Sequence, residues 1–288
     1  MAYVARRRLP EDPVSKLALW ARGVALFAIP VVLLAIIIAR FGFLDITPSL
    51  ATLGGALFLA VLGVLLAFAS FVVIWREGHR GVGLSVTAVA IGIGILAYPS
   101  YLGIKAYRLP VLNDVTTDPA DPPRFEAIAR LRPRTANPLA YAGTPAAELQ
   151  RKAYPDIEPV MISVTPEEAF DAAYAVMAKH KWRVVDARKP QPGRRDGLIE
   201  AVARTPIMGF PDDVVVRVRT DDDGARIDIR SASRYGTHDF GTNASRVRAL
   251  AEEIDDMAGV VSSKKKKAAA KAAKSEPAPR GTHAPTRR

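Results

Sequence analysis

The chain of 288 residues contains no cysteine, which excludes disulfides, thiolate metal sites and a cysteine nucleophile. Its net charge of +11 is unevenly distributed, with +6 in residues 1–108, −3 in residues 109–262 and +8 in residues 263–288. Because a nucleic-acid-binding domain usually carries a basic face on the fold itself, this distribution disfavours specific nucleic-acid binding by the middle segment.

Three apolar runs occupy the first third of the chain. Residues 23–39, 51–74 and 82–104 contain no charged side chain, and about 20 residues of helix cross a hydrocarbon core of roughly 30 Å. The sequence therefore predicts a membrane domain over residues 1–108, with transmembrane helices at about 19–39, 52–74 and 82–104. Because Glu11 and Asp12 separate the first arginines from the apolar run, we interpret that run as a retained span rather than a cleaved signal.

The charges around these runs bear on transport and on orientation. Charged residues inside a span are the usual sign of a transport pathway, so their absence disfavours a transporter or channel. Lysine and arginine are enriched in cytoplasmic loops. One side of the bundle has six such residues and the other has three: Arg6, Arg7, Arg8, Lys16, Arg76 and Arg80 against Arg40, Lys105 and Arg108. We therefore expect a multi-pass protein of the inner (cytoplasmic) membrane, with a cytoplasmic N-terminus and a periplasmic C-terminal domain.

Residues 109–157, hereafter the proline-rich segment, follow the last apolar run. Proline at this density breaks both helices and sheet ladders. We expect an extended segment that leaves the membrane and wraps the following domain, with a short helix near Pro145–Lys152.

Residues 158–262 show the patterns of a mixed domain. Thr165 and Glu168 have the spacing of a capping box at a helix start, and residues 243–257 carry an apolar stripe typical of a second helix. Five strands are predicted, at Val160–Val164, Trp182–Ala187, Leu198–Arg204, Val214–Arg219 and Ala225–Ser231, the last two joined by a tight turn. This order predicts an α+β fold, an antiparallel sheet with helices packed on one face and a charged face left to solvent.

One segment is distinctive. Residues 226–247 read RIDIRSASRYGTHDFGTNASRV, and residues 209–213 read GFPDD. Together they resemble the DUF1499 proteins, a bacterial family of unknown function whose shared pattern is gF-x-DD, a strand, and then RSASR-x-G-x-x-D-x-G-x-N-x-x-R. Residues 113–118 and 122–125 are similar to the start of that domain, so the resemblance covers residues 110–258 or thereabouts. It implies a small α+β domain, often tethered to a membrane, and no established activity.

The polar residues of this segment have two interpretations. In the first, Arg230 and Arg234 pair with nearby acids in a network that fixes the loop Tyr235–Thr242 against the sheet. Gly236 and Gly241 then supply positive φ, and Thr242 or Asn243 caps the last helix. In the second, the N-terminus of that helix, with either arginine and either serine, holds a phosphate or carboxylate. The candidate ligand-binding residues are Arg230, Ser231, Ser233, Arg234, Asp212, Asp213, Asp239 and Asn243.

Catalytic chemistry is less well supported by the sequence. Ser231, Ser233, His238 and Asp239 are the residue types of a triad, but adjacent His and Asp side chains in an extended loop point apart. A metal site from His238 and the nearby aspartates lacks a second histidine and any ligand spacing. We therefore predict no catalytic residue, metal or cofactor.

The last 26 residues, 263–288, are basic and have no apolar stripe, so we expect a disordered tail. Its run Lys264, Lys265, Lys266 and Lys267 could attract anionic lipid or an acidic envelope polymer. The sequence thus predicts a membrane-tethered binding or structural module of the cell envelope. The alternative is a sensor of a small anionic ligand, and a hydrolase ranks last.

Overall fold

The computed structural model describes residues 12–191, 193 and 195–275, which form two compact units. The helical unit contains α1 (Lys16–Phe41), α2 (Ile46–Glu77) and α3 (Val82–Arg108), together with residues 204–211 and 235–241. The sheet unit contains residues 112–203, 212–234 and 242–275.

The helical unit contains long apolar helices at the positions where the spans are predicted. In the described part of the chain, three helices are long and apolar enough to cross a membrane, namely α1, α2 and α3. They extend a few residues past the predicted limits, because flanking residues such as Arg76 and Lys105 continue the helices.

Small residues form the contacts among these helices. Ala21, Ala25, Ala67 and Ala88 are buried in one cluster, and a Cβ on Gly63 would lie 3.3 Å from Ala25. Such residues let helix backbones approach closely, which is the usual basis of packing in a membrane. On α3 the buried residues Ser85, Ala88 and Gly92 are likewise small.

Residues 204–211 belong to the helical unit through Arg40. Its Nη1 donates to the carbonyl oxygens of Pro206, at 2.6 Å, and Ile207, at 3.3 Å. Gly209 has a φ of 68°, and a Cβ there would lie 3.1 Å from Arg40 Cα. The glycine of the gF-x-DD segment is thus required for both its conformation and its small size.

The sheet unit is an α+β domain, as predicted. Its helices are α4 (Thr144–Ala153), α5 (Pro166–Lys179) and α6 (Thr242–Ser275). Its strands are β1 (Asp114–Thr116), β2 (Val160–Ile162), β3 (Arg183–Arg188), β4 (Gly197–Arg204), β5 (Pro211–Asp221) and β6 (Gly224–Ser233). Within the described residues the sheet order is β1-β6-β5-β4-β3, and β2 also pairs with β6. The pairs β1–β6, β2–β6, β3–β4 and β5–β6 are antiparallel.

One face of the sheet packs on α5 and α6. Val214, Val216 and Val218 of β5 alternate onto this face and are fully buried. Leu250 and Ile254 of α6 are buried with them, which confirms the apolar stripe predicted for the last helix.

The opposite face differs from the prediction, because it is not left to solvent. Phe125 and Ile128 of the proline-rich segment pack there against Leu198, Val215 and Ala232. A short 3₁₀ helix, Ile128–Leu131, places these side chains on the sheet. The proline-rich segment therefore supplies a third layer, which hydrophobic periodicity could not reveal because the segment has none.

Local signals at the element ends hold as predicted. The capping box is complete, with Thr165 Oγ1 accepting from Glu168 N and the Glu168 carboxylate accepting from Thr165 N. The helix predicted near Pro145–Lys152 is α4, and Gly236 and Gly241 have positive φ.

The last helix is longer than predicted. We placed its end at Met257, whereas α6 continues to Ser275 through the lysine run. Alanine and lysine are strong helix formers, so the helix extends without an apolar stripe. Residues 263–275 of the expected disordered tail are therefore helical, and residues 276–288 lie outside the described part of the chain.

Candidate functional site

Ion pairs join the proline-rich segment to the β5–β6 hairpin. Asp118 accepts from Arg226 at 2.6 Å and from Arg219 at 3.1 Å. Asp228, which is fully buried, pairs with the same two arginines at 2.9 and 2.7 Å. Burial would raise the pKa of Asp118, but the backbone N–H of Asp121 and the neighbouring arginines outweigh it and hold that pKa below its usual value. The hairpin's charged face, expected to lie in solvent, is thus covered by acids from the proline-rich segment.

Arg230 is the centre of this face and is only 2% exposed. Its Nε and Nη2 form a bidentate pair with Asp114, at 3.0 and 2.6 Å. It also donates to the carbonyl oxygens of Pro123 at 2.9 Å and Leu139 at 2.8 Å. Burial raises the pKa of Asp114, and Arg230 opposes that rise. Arg230 therefore holds β1 and two loops of the proline-rich segment to the sheet.

Glu200 anchors the proline-rich segment to the sheet, and the sequence did not identify it as a candidate. Its fully buried carboxylate accepts three backbone N–H groups, those of Glu126, Ala127 and Ile128, each at 2.9 Å. It thereby satisfies donors at the start of the 3₁₀ helix that have no partner within that helix. Strand alternation placed Glu200 on the charged face, but nothing in the sequence indicated that the proline-rich segment would cover it.

Arg234 forms an ion pair beside the proline-rich segment. Its Nη2 pairs with Asp213 at 2.7 Å, and Arg132 Nη1 approaches the other oxygen of that carboxylate at 3.2 Å. Burial raises the pKa of Asp213 and lowers that of Arg132, while the opposite charges resist both changes. Asn137 of the proline-rich segment donates to the carbonyl oxygens of Ser233 and Arg234.

A second network lies on the helix face of the sheet. Asn243 of α6 accepts from Ser231 at 2.7 Å and lies 2.9 Å from Ser233 Oγ. Arg246, one turn later, donates to Ser231 at 2.8 Å and to Asp212 at 2.7 Å. Asn243 therefore ties β6 to α6 from inside the helix and is not its cap.

Seven of the eight predicted site residues, all except Asp239, thus fall into two groups rather than one cluster. Arg230, Arg234 and Asp213 lie on the face covered by the proline-rich segment. Ser231, Ser233, Asp212 and Asn243 lie on the helix face, because successive side chains of a strand point to opposite faces. The carboxylate partner of Arg230 is Asp114, whereas the sequence favoured Asp212, Asp213 or Asp239. The structure does not bring Arg230 or Arg234 together with the two serines and the N-terminus of α6.

The residue types of a triad or metal site have other partners. His238 Nδ1 accepts from Phe240 N at 2.9 Å, and Asp239 Oδ1 accepts from Gly241 N at 2.9 Å. Ser231 and Ser233 are held by Asn243. Among the described residues, no group of three or more His, Cys, Asp or Glu side chains is arranged to hold a metal ion.

A cleft opens beside Arg230 within the sheet unit. Its volume is about 580 Å³, and its lining residues come from the proline-rich segment and β6, namely Pro119, Ala120, Asp121, Pro122, Arg124, Phe125, Leu139, Ala140, Tyr141, Gly143 and Arg230. The guanidinium of Arg230 lies over the rings of Phe125 and Tyr141, at 4.8 and 5.7 Å from their centroids. The Tyr141 hydroxyl is buried and has no hydrogen-bond partner among the described residues. Burial, aided by the charge of Asp114, raises the pKa of Tyr141 to about 12.

Comparison with known proteins agrees with the resemblance seen in the sequence. A family model described as "Protein of unknown function (DUF1499)" matches residues 114–254. That range begins at β1 and ends within α6, so it spans both networks and the cleft. No curated protein and no solved structure matches the chain.

Proposed function

Because residues 114–254 form a domain of the DUF1499 family behind three helices able to cross a membrane, we propose that this protein is a membrane-tethered binding module of the cell envelope. In this proposal it is a multi-pass protein of the cytoplasmic membrane, and the DUF1499 domain works on the periplasmic side.

The observation that carries the binding role is the cleft beside Arg230. Sites for small molecules are usually concave and largely preformed. The walls of this cleft are fixed by buried pairs, since Asp114 and Arg230 join one wall to the sheet and Glu200 anchors Glu126–Ile128 near the other. The residues of the DUF1499 pattern thus support a rigid concave surface, which favours binding over a purely structural role.

The periplasmic placement rests on the charges at the helix ends. α1 is preceded by a basic N-terminal segment, and the α2–α3 connection is flanked by Arg76 and Arg80. The opposite ends carry fewer basic residues, and Asp45 lies in the α1–α2 connection. Basic residues are retained in the cytoplasm during insertion, which favours an N-terminus inside and a domain outside after three spans.

Reporter fusions test this placement. One reporter that is active only outside the cytoplasm and one that is active only inside are fused after Arg108 and after Arg288. Activity of the outside reporter at both points is the expected result. Activity of the inside reporter at both points would overturn the periplasmic assignment and turn the search for partners to the cytoplasm.

Anionic lipid is the partner proposed for the lysine run at residues 264–267. A polybasic segment gains roughly 1 kcal/mol per lysine near an anionic surface. The net charge of +8 in residues 263–288 supports the proposal. The full chain in nanodiscs should co-sediment with anionic vesicles. The fraction that does so should fall when the four lysines are replaced by glutamine.

A further inference from the structure

We propose that the cleft beside Arg230 binds a small soluble organic anion, a carboxylate or phosphate joined to an apolar group. The proposal rests on the binding role given above and names the ligand class for that site. It differs from the anion site expected from the sequence, because the N-terminus of α6 and the two serines take no part.

The size and walls of the cleft fit such a ligand. A volume of about 580 Å³ lies within the range of small-molecule sites. Phe125 and Leu139 form an apolar wall, which suits an aromatic or aliphatic group. An inorganic ion alone would leave this wall without contacts.

The Tyr141 hydroxyl can donate a hydrogen bond to a ligand. Buried hydroxyl groups nearly always have a hydrogen-bond partner, yet this one has none among the described residues. With a pKa of about 12, the phenol keeps its proton at neutral pH and can donate it. An oxygen of a carboxylate or phosphate is the acceptor that satisfies it, and its negative charge makes the hydrogen bond stronger.

Arg124 supplies a positive charge, and Arg230, whose charge is balanced by Asp114, supplies a further donor. Arg124 is exposed at the rim and makes no ion pair with any described residue. Asp121, the acid in the lining, is held by Arg217 and Arg219 at 3.0 and 3.2 Å. Four of the five N–H donors of Arg230 are used, which leaves one on Nη1. The cleft thus keeps an unpaired cation, a buried phenol donor and one further guanidinium donor.

The experiment uses the full chain in zwitterionic nanodiscs and two probes, benzoate and phenyl phosphate. Thermal unfolding is followed by tryptophan fluorescence, with inorganic phosphate and benzyl alcohol as comparators that lack the apolar group or the charge. Saturating benzoate or phenyl phosphate should raise Tm by roughly 2–4 °C, and the comparators should raise it less.

Two variants and two matched controls locate the site. Arg124→Gln and Tyr141→Phe should keep the unliganded Tm, since neither group has a described polar partner, and should lose the shift. Arg130→Gln and Tyr174→Phe, which lie outside the cleft lining, should retain it. The proposal is overturned if neither probe shifts the wild-type protein, if benzyl alcohol acts equally, or if the controls lose the shift as well.

A further arm addresses the source of the anion. If nanodiscs containing phosphatidylglycerol raise Tm in an Arg124-dependent way and abolish the effect of the probes, the ligand is a lipid headgroup and the soluble ligand is refuted. Because these measurements use purified protein, they do not depend on topology. If neither probe binds but the outside reporters are active, the ligand class is rejected and the periplasmic placement stands. If a probe binds but the inside reporters are active, the placement is rejected and the ligand class stands.

Discussion

Replacing Arg230 with methionine should destabilise the sheet unit strongly. The variant keeps most of the apolar volume over Phe125 but removes the bidentate pair with Asp114. It also removes the donors to the carbonyl oxygens of Pro123 and Leu139. Asp114 is 9% exposed, and its carboxylate would remain buried without its paired cation.

The magnitude follows from that uncompensated charge. Removing one partner of a buried ion pair costs about 3–5 kcal/mol. At a Tm change of roughly 2–4 °C per kcal/mol for a domain of this size, we expect a fall of about 6–20 °C. The paired variant Arg230→Met with Asp114→Val removes both charges and should lie within about 2 kcal/mol of the wild type, because an apolar pair often replaces a buried ion pair at little cost.

The assay is thermal unfolding of the full chain in nanodiscs. The protein has three tryptophans, so a background with Trp20→Phe and Trp75→Phe leaves Trp182 as the single reporter. Trp182 stacks on His180, with ring centroids 4.8 Å apart, and therefore reports on the sheet unit. A single variant that unfolds within about 1 kcal/mol of the wild type, or a paired variant no more stable than the single one, would refute the reasoning.

The pH dependence of this variant has a definite sign. Without Arg230, burial raises the pKa of Asp114 further above its unfolded value. A carboxyl group with a raised folded pKa contributes stability that is present below the unfolded pKa and is lost as the pH rises through the folded pKa. The stability difference between Arg230→Met and the wild type should therefore shrink between about pH 7 and about pH 4.

Three further predictions use the same assay. Glu200→Gln should cost roughly 2–4 kcal/mol, because an amide oxygen replaces a carboxylate that accepts three backbone N–H groups, whereas Glu148→Gln at an exposed site should be neutral. The pKa of Asp118 is lower in the folded protein than in the unfolded chain, so its ion pairs stabilise the fold above the unfolded pKa, and this stability is lost as the pH falls through the folded pKa. Asp118→Asn should therefore lower Tm at neutral pH and reduce the fall of Tm on acidification. An unchanged fall of Tm on acidification would contradict the ion pairs described. Gly224→Ala places a Cβ 2.3 Å from a strand carbonyl oxygen at a φ of 150° and should lower Tm by several degrees, while Gly259→Ala, with nothing within 4 Å, should raise it slightly or leave it unchanged.

Elements with a local period or a local cap were predictable from the sequence. The three spans, the β5–β6 hairpin and the capping box at Thr165 each depend on residues within one or two turns of one another. The end of α6 was misplaced because its extension is set by helix propensity, whereas the prediction followed the apolar stripe.

The partners of Arg230 and Glu200 could not be predicted in the same way. Asp114 lies 116 positions before Arg230, and Glu126 lies 74 positions before Glu200. Both contacts depend on how an aperiodic proline-rich segment crosses the sheet. The sequence identified Arg230 as a residue that needs an acid, but Asp212, Asp213 and Asp239 are not its partners.

The position of β1 has a consequence for the order in which the chain matures. β1 is the first strand after the three apolar helices, yet among the described strands it pairs with β6, the last of them in sequence. Residues 230–232 are synthesised more than a hundred residues after Asp114–Thr116, so β1 has no strand to pair with until then. Such non-local pairing is slow to form. The buried pair of Asp114 and Arg230 can therefore form only after β6 is made, late in the synthesis of the domain.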